Sequence, residues 1–124
     1  MSTWTAADLD DFAQADELSV SSDRPDGTRR PEVVIWAVRA DDRAFIRSAY
    51  GPGNGWFRRA LAAGTGHVRI GGVDRDVRFV VPEPDVAPAI DAAYHAKYDR
   101  YGARIVNSVV GPQVVETTLE LLPR

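Results

Sequence analysis

F-I-R-S-A-Y-G-P-G-N-G-W-F-R-R-A-L-A-A-G-T-G-H-V-R-I-G-G, Phe45 to Gly72, reads as a strand, a Gly-rich turn, a short helix and a second strand. Phe45–Ala49 is apolar and delivers Arg47 and Ser48 to the lip of the turn. Gly51, Pro52, Gly53 and Gly55 interrupt regular structure, because Gly admits φ > 0 and Pro fixes φ. Asn54 is placed to cap a helix that begins at Gly55 or Trp56 and stops at Gly64. The first N–H groups of such a helix have no intrahelical acceptor, so the segment is a generic anion site, with Arg47, Arg58 and Arg59 close by in sequence. Arg47 and Ser48 alternate across a strand, so both reach one pocket only if the strand ends or bulges there. Arg58 and Arg59 diverge by about 100° around a helix, so at most one of the two is expected to meet a ligand.

Working outward, Glu32–Ala40 (E-V-V-I-W-A-V-R-A) is the strongest strand and is apolar on both faces, as a central strand would be. Asp41-Asp42 turns the chain back into Arg43–Ala49, an expected antiparallel partner. Downstream, His67–Val81 predicts a hairpin about Gly71-Gly72, with Val73, Val77, Phe79 and Val81 on one face. Asp85 opens a helix reaching about Tyr101, with Val86, Ile90, Ala93, Tyr94, Tyr98 and Tyr101 as its apolar stripe. Gln113–Leu122 is expected as a half-exposed closing strand, with Val115, Leu119 and Leu121 inward and Glu116, Thr118 and Glu120 outward. Upstream, Thr5 and Asp8 form a capping-box signature for a helix whose apolar face carries Leu9 and Phe12, and Trp4 and Leu9 are spaced for a hydrophobic staple. Glu17–Ser21 is a weaker strand. Helix, strands, helix, hairpin, helix and strand add up to an α+β fold: a mainly antiparallel six-stranded split β-barrel with inserted helices. One domain of 1–124 is expected, with an N-terminal helix in 1–16 and the barrel in 17–124.

With 124 residues, 44% hydrophobic and 27% charged, the chain has an ordinary globular composition. It has no cysteine, which excludes disulfides, thiolate metal sites and a thiol nucleophile. No apolar run approaches the ~20 residues of a membrane span, and no signal-like N-terminus is present, so a cytoplasmic address is expected. The net charge of −3 is unevenly spread: residues 1–23 carry −6, 24–75 carry +5 and 76–124 carry −2. That pattern suits an anionic small ligand better than nucleic acid, because no basic cluster is long enough to follow a phosphate backbone. Fourteen Arg against a single Lys, Lys97, means that Arg abundance alone carries no inference. The acids of Asp8–Glu17 lack calcium-loop spacing and a nearby His, so no metal site is expected. His67 and His95 fit no HExxH or Ser/His/Asp pattern, and His67 is expected to be exposed or at an interface.

The motifs W-A-V (36–38), F-I-R-S (45–48), G-x-x-x-G-W-F-R-R-A-L (51–61), H-V-R-I-G-G (67–72), A-Y-H-A-K-Y (93–98) and T-T-L-E-L-L-P (117–123) resemble a small bacterial family of unknown function. That family is similar to the flavin-binding split-barrel proteins, which include pyridoxamine phosphate oxidases and deazaflavin-dependent nitroreductases. The resemblance implies a homodimer that holds FMN or a deazaflavin coenzyme. It places the cofactor phosphate at Arg47 and Ser48 on the strand and at Asn54, Trp56 and Arg59 around the helix start, with Trp36 beside the ring. It also implies an oxidoreductase, although the chain shows no substrate-phosphate motif and no proton donor matched to a known role. The alternative readings are a cofactor-free binding module for an apolar or aromatic metabolite, and a structural dimer without a small ligand.

Overall fold

The computed structural model describes residues 3–49, 51 and 53–124; Pro52, one of the expected turn breakers, lies outside the described residues. Its elements are α1 (Ala6–Gln14), β1 (Leu18–Ser22), β2 (Val33–Ile35), β3 (Ala37–Ala40), β4 (Arg43–Arg47), α2 (Gly55–Ala63), β5 (Thr65–Ile70), β6 (Val73–Val80), α3 (Ala87–Tyr98), α4 (Ala103–Val106) and β7 (Thr118–Pro123). The strands form one seven-stranded sheet in the order β2-β1-β5-β6-β7-β4-β3, antiparallel at every pairing.

The two ends of that order are neighbours in sequence, separated by Trp36 alone. The run expected as one central strand is therefore two short strands at opposite edges, and the sheet curls into a nearly closed barrel. Seven strands replace the six expected because this run is split. The break is stabilised from outside the sheet. Tyr98 Oη accepts from the Ala37 N–H at 3.2 Å, and Lys97 Nζ donates to the Ala37 carbonyl at 2.6 Å and to the Phe12 carbonyl at 2.7 Å. Two side chains of α3 thus supply the partners that a neighbouring strand would have provided.

Both faces of the β3–β4 hairpin are covered, which explains its two-sided apolar pattern. Ala37, Ala44 and Ile46 face the barrel core with Leu9, Phe12, Leu18, Val68 and Leu121. Val38, Ala40 and Phe45 face a second core formed with Ile90, Tyr94 and Tyr98 of α3, Val106 and Val109. β7 departs from expectation for the same reason. It lies between β6 and β4, and Thr118 and Glu120 are buried, as are Leu119 and Leu121 on the opposite face. Thr118 accepts from Arg47 Nε at 2.9 Å and Glu120 accepts from Arg43 at 2.7 and 2.9 Å, so each buried polar group has a partner. The strand begins only at Thr118, because Pro112–Thr117 forms a 3₁₀ segment that carries Val115 outside it.

The Thr5–Asp8 and Gly64 signals behave as their chemistry dictates, whereas Asp85, expected to open the third helix, lies inside the 3₁₀ turn Pro84–Val86 and caps nothing. The Thr5–Asp8 capping box forms in both directions, at 3.1 and 3.2 Å. Trp4 does more than staple α1: its Nε1–H donates to the Leu121 carbonyl at 2.8 Å and ties the helix to the barrel. Gly64 ends α2 in the left-handed region at φ 72°. The third helix is narrower than expected, with 3₁₀ turns at Pro84–Val86 and Asp99–Tyr101 flanking α3. Val81 lies past the end of β6 and is exposed rather than inward. At Gly66 a Cβ would collide with the Ser21 carbonyl oxygen and come within 2.7 Å of the Phe79 ring, so β1 and Phe79 close over bare backbone. No helix among the described residues is long and apolar enough to cross a membrane.

Candidate functional site

An open groove of about 940 Å³ runs along the exposed side of α2. Arg24 and Arg30 from the β1–β2 connection, Arg58 and Arg59 from α2, and Asp23 supply its charged groups. None of the four arginines forms an ion pair among the described residues. Arg24 donates only to neutral oxygens, Thr28 Oγ1 at 3.3 Å and the Arg29 carbonyl at 2.8 Å. The Nε of Arg30 is buried without an acceptor among the described residues. Asp23 accepts from Thr65 Oγ1 at 2.8 Å, leaving four guanidiniums to face one carboxylate.

The decisive geometry is at Gly55, the first residue of α2. A Cβ there would lie 2.8 Å from Nη1 of Arg59 and 3.5 Å from its Cζ. The Arg59 guanidinium therefore folds back over the N-terminal turn of its own helix, where the macrodipole is already positive and the first N–H groups have no intrahelical acceptor. The Asn54 side chain accepts none of those N–H groups. Two positive features share one spot with no carboxylate between them, an arrangement that an incoming anion stabilises. Arg58 and Arg59 both border the groove despite their angular separation, because it extends along α2 past Leu61, Ala62 and Ala63.

The residues named from sequence fall in different places. Arg59 borders this groove beside Gly55. Asn54 sits at the N-cap of the same helix, and Trp56 is buried in the barrel core with its ring edge to Phe57 at 6.0 Å. Ser48, fully buried, donates to the Gly51 carbonyl at 2.9 Å and secures the turn. Arg47 and Trp36 lie on the α3 side. Arg47 Nη1 donates to Asp91 and to the Val109 carbonyl at 2.8 Å, and its guanidinium lies 5.6 Å from the centre of the Tyr94 ring. Trp36 stacks on Tyr98 at 3.9 Å and 5°, so one of its faces is already covered. The six residues thus do not line one cavity. Arg24 and Arg30 were missed because the groove is made by a distant loop. Their only sequence signal was membership of the basic central block.

Other ionisable groups are held in networks. His67 is buried, not exposed, because the β5–β6 register puts Asp76 opposite it and Asp74 two residues away; its two ring nitrogens face those carboxylates. The His67 contact holds the Asp76 carboxyl below its ordinary range. His95 pairs with Asp99 one turn on, at 2.8 Å. Burial pushes the Tyr94 and Tyr98 phenols up, and burial brings the Lys97 ammonium down to about 8.

Residues 8–121 match a family described as an uncharacterized protein conserved in bacteria (DUF2255). The chain belongs to this family. No curated protein matches the chain. Among solved structures, a protein of unknown function from Agrobacterium tumefaciens str. C58 is similar over 94% of the chain and 51% of its own length, with TM-score 0.63 and 14% identity. The chain therefore spans about half the length of that neighbour. A conserved hypothetical protein from Mycobacterium tuberculosis aligns over 99% of the chain and 81% of its own length, with TM-score 0.59 and 12% identity. An F420 reductase aligns over 93% and 90%, with TM-score 0.53 and 16% identity. At these identities the likeness is one of fold.

Proposed function

We propose that this protein binds a flavin-type cofactor, FMN or a deazaflavin coenzyme, with the phosphate end in the α2 groove, and that it works as an oxidoreductase in a homodimer. The observation that carries the reading is the Arg59 guanidinium folded onto the N-terminal turn of α2 with no carboxylate to answer it. Arg24, Arg30, Arg58 and Arg59, with the first-turn N–H groups of α2, are the residues that would hold a phosphate there. The groove's size suits a cofactor, since ligand sites commonly measure ~300–1,000 Å³. A fold shared with an F420 reductase supports the choice of cofactor class. Such a cofactor supplies hydride transfer, while the protein supplies binding, orientation and electrostatics.

Titrating the purified full chain with FMN and with a deazaflavin coenzyme, followed in absorbance, tests the proposal. One of them is expected to saturate, and sedimentation of the same samples is expected to report a dimer. Arg59→Ala is expected to weaken binding about tenfold to a hundredfold, the scale of a charge-assisted hydrogen bond worth ~1.5–3 kcal/mol. Absence of binding to both cofactors at high micromolar concentration overturns it.

A further inference from the structure

One carboxylate, that of Asp23, stands among the four guanidiniums of the α2 groove. It forms no ion pair with them or with any other described residue. Thr65 holds it instead. The Asp23 N–H donates to the Thr65 carbonyl at 3.1 Å, and Oδ2 accepts from Thr65 Oγ1 at 2.8 Å. A backbone bridge to Arg29 fixes Asp23 from the other side. The second oxygen, Oδ1, accepts no hydrogen bond among the described residues and is not enclosed, so a ligand in the groove can reach it.

The position of Asp23 decides what it can do. Thr65 follows Gly64, which ends α2, so Asp23 sits at the C-terminal end of that helix. Arg59 folds onto the other end, at Gly55. The nine residues of α2 put about 12 Å of helix axis between the two. The groove follows that length, with Gly55 bordering it at one end and Ala63 and Thr65 at the other. Its two ends therefore differ in chemistry. The helix start takes an anion, whereas the far end offers a carboxylate, which accepts hydrogen bonds and repels negative charge.

We propose that Asp23 selects the ring end of the ligand: its Oδ1 accepts from a neutral N–H, the imide N–H that flavins and deazaflavins share, while the phosphate lies at Gly55 and Arg59. This assignment rests on the cofactor reading of the same groove and gives the ligand its direction along α2. The hydroxyls of the cofactor's polyol do not suit Asp23, because they sit on the chain that carries the phosphate, at the opposite end. A ligand that covers Asp23 strips water from Oδ1. An imide N–H replaces the lost bond, whereas a ligand without a donor leaves a desolvated carboxylate unpaired, which is how a polar group enforces selectivity. A second anion at that end is repelled.

Absorbance titration of the full chain with whichever cofactor saturates, FMN or the deazaflavin coenzyme, is repeated with its N3-methyl derivative, which lacks the imide donor. The wild type is expected to bind the methylated compound at least about tenfold more weakly. Asp23→Ala and Asp23→Val remove the acceptor, and circular dichroism identifies the variant that keeps the wild-type fold. In that variant the two affinities are expected to become nearly equal. Inorganic phosphate, read as a competitor of the cofactor, is expected to keep its wild-type affinity there within about twofold, since Asp23 lies beyond the screening length of about 8 Å at 0.15 M salt. Equal affinities in the wild type overturn the proposal. So does a methyl effect that persists in the folded variant, which is then steric, or a larger change in phosphate affinity, which puts Asp23 at the phosphate. These results leave the cofactor reading standing, whereas failure of both parent cofactors to bind overturns the two together.

Discussion

Gly55 and Arg59 show how one missing Cβ shapes a site. Because the guanidinium occupies the space a side chain would need, Gly55→Ala is expected to displace Arg59 from the helix start while favouring the helix by up to ~1 kcal/mol. Cofactor affinity should therefore fall without loss of thermal stability, a combination that calorimetry and a parallel melt would reveal. Lys97 is a second residue whose chemistry depends on its position. Burial lowers its ammonium from 10.5 to about 8, so the unfolded chain holds more protons between those values. The sign follows: the cost of burying the charge is present below pH 8 and is relieved as pH rises from about 8 towards 10.5. Urea unfolding of the wild type against Lys97→Met across that window should show the wild type gaining stability relative to the variant. Neither residue's behaviour was readable from the chain, because each depends on contacts with segments or rotamers that spacing does not specify.

At the scale of elements, the split at Trp36 is the feature on which the barrel turns. The Ala37 N–H at the break relies on the Tyr98 hydroxyl. Tyr98→Phe keeps the stack on Trp36 but leaves that buried N–H unpaired, at an expected cost of ~1–3 kcal/mol in denaturant unfolding. Gly66→Ala should be at least as damaging, on the order of 1–3 kcal/mol or more, since a rigid backbone carbonyl and the Phe79 ring both stand in the way. The contrast with helix ends is instructive. Thr5, Asp8 and Gly64 marked helix boundaries correctly because capping is decided within one turn of chain, whereas Asn54 holds the N-cap position of α2 without a side-chain cap bond. The fate of Glu32–Ala40 was decided by which strands take its two halves, β1 for Val33–Ile35 and β4 for Ala37–Ala40, and by α3, whose side chains hold the Ala37 backbone from sixty residues on.

For the whole molecule, much of the charge segregated along the chain becomes charge pairing in space. Arg29, Arg39, Arg43, Arg47, Arg69 and Arg100 all find carboxylates, several of them distant in sequence. Of the eight arginines without an ion pair among the described residues, four, Arg24, Arg30, Arg58 and Arg59, border one groove. Ligand binding there should be strongly salt-dependent, because an open groove at 0.15 M salt is screened beyond about 8 Å. Raising salt to ~1 M is expected to weaken FMN or deazaflavin binding severalfold, which paired titrations at two salt concentrations measure.

From its sequence alone this protein is legible as an α+β chain with three main helices, an antiparallel sheet and a Gly-rich turn leading into a helix that starts at Gly55. Those features rest on periodicity, turn chemistry and capping, which act over a few residues. Only the tertiary structure decided that the strongest strand breaks at Trp36, that Arg47 is enclosed beneath α3 instead of facing the α2 groove, and that Arg24 and Arg30 join Arg59. Each of those outcomes depends on which distant surfaces meet, and a guanidinium's partner is set by the carboxylate that folding brings within reach.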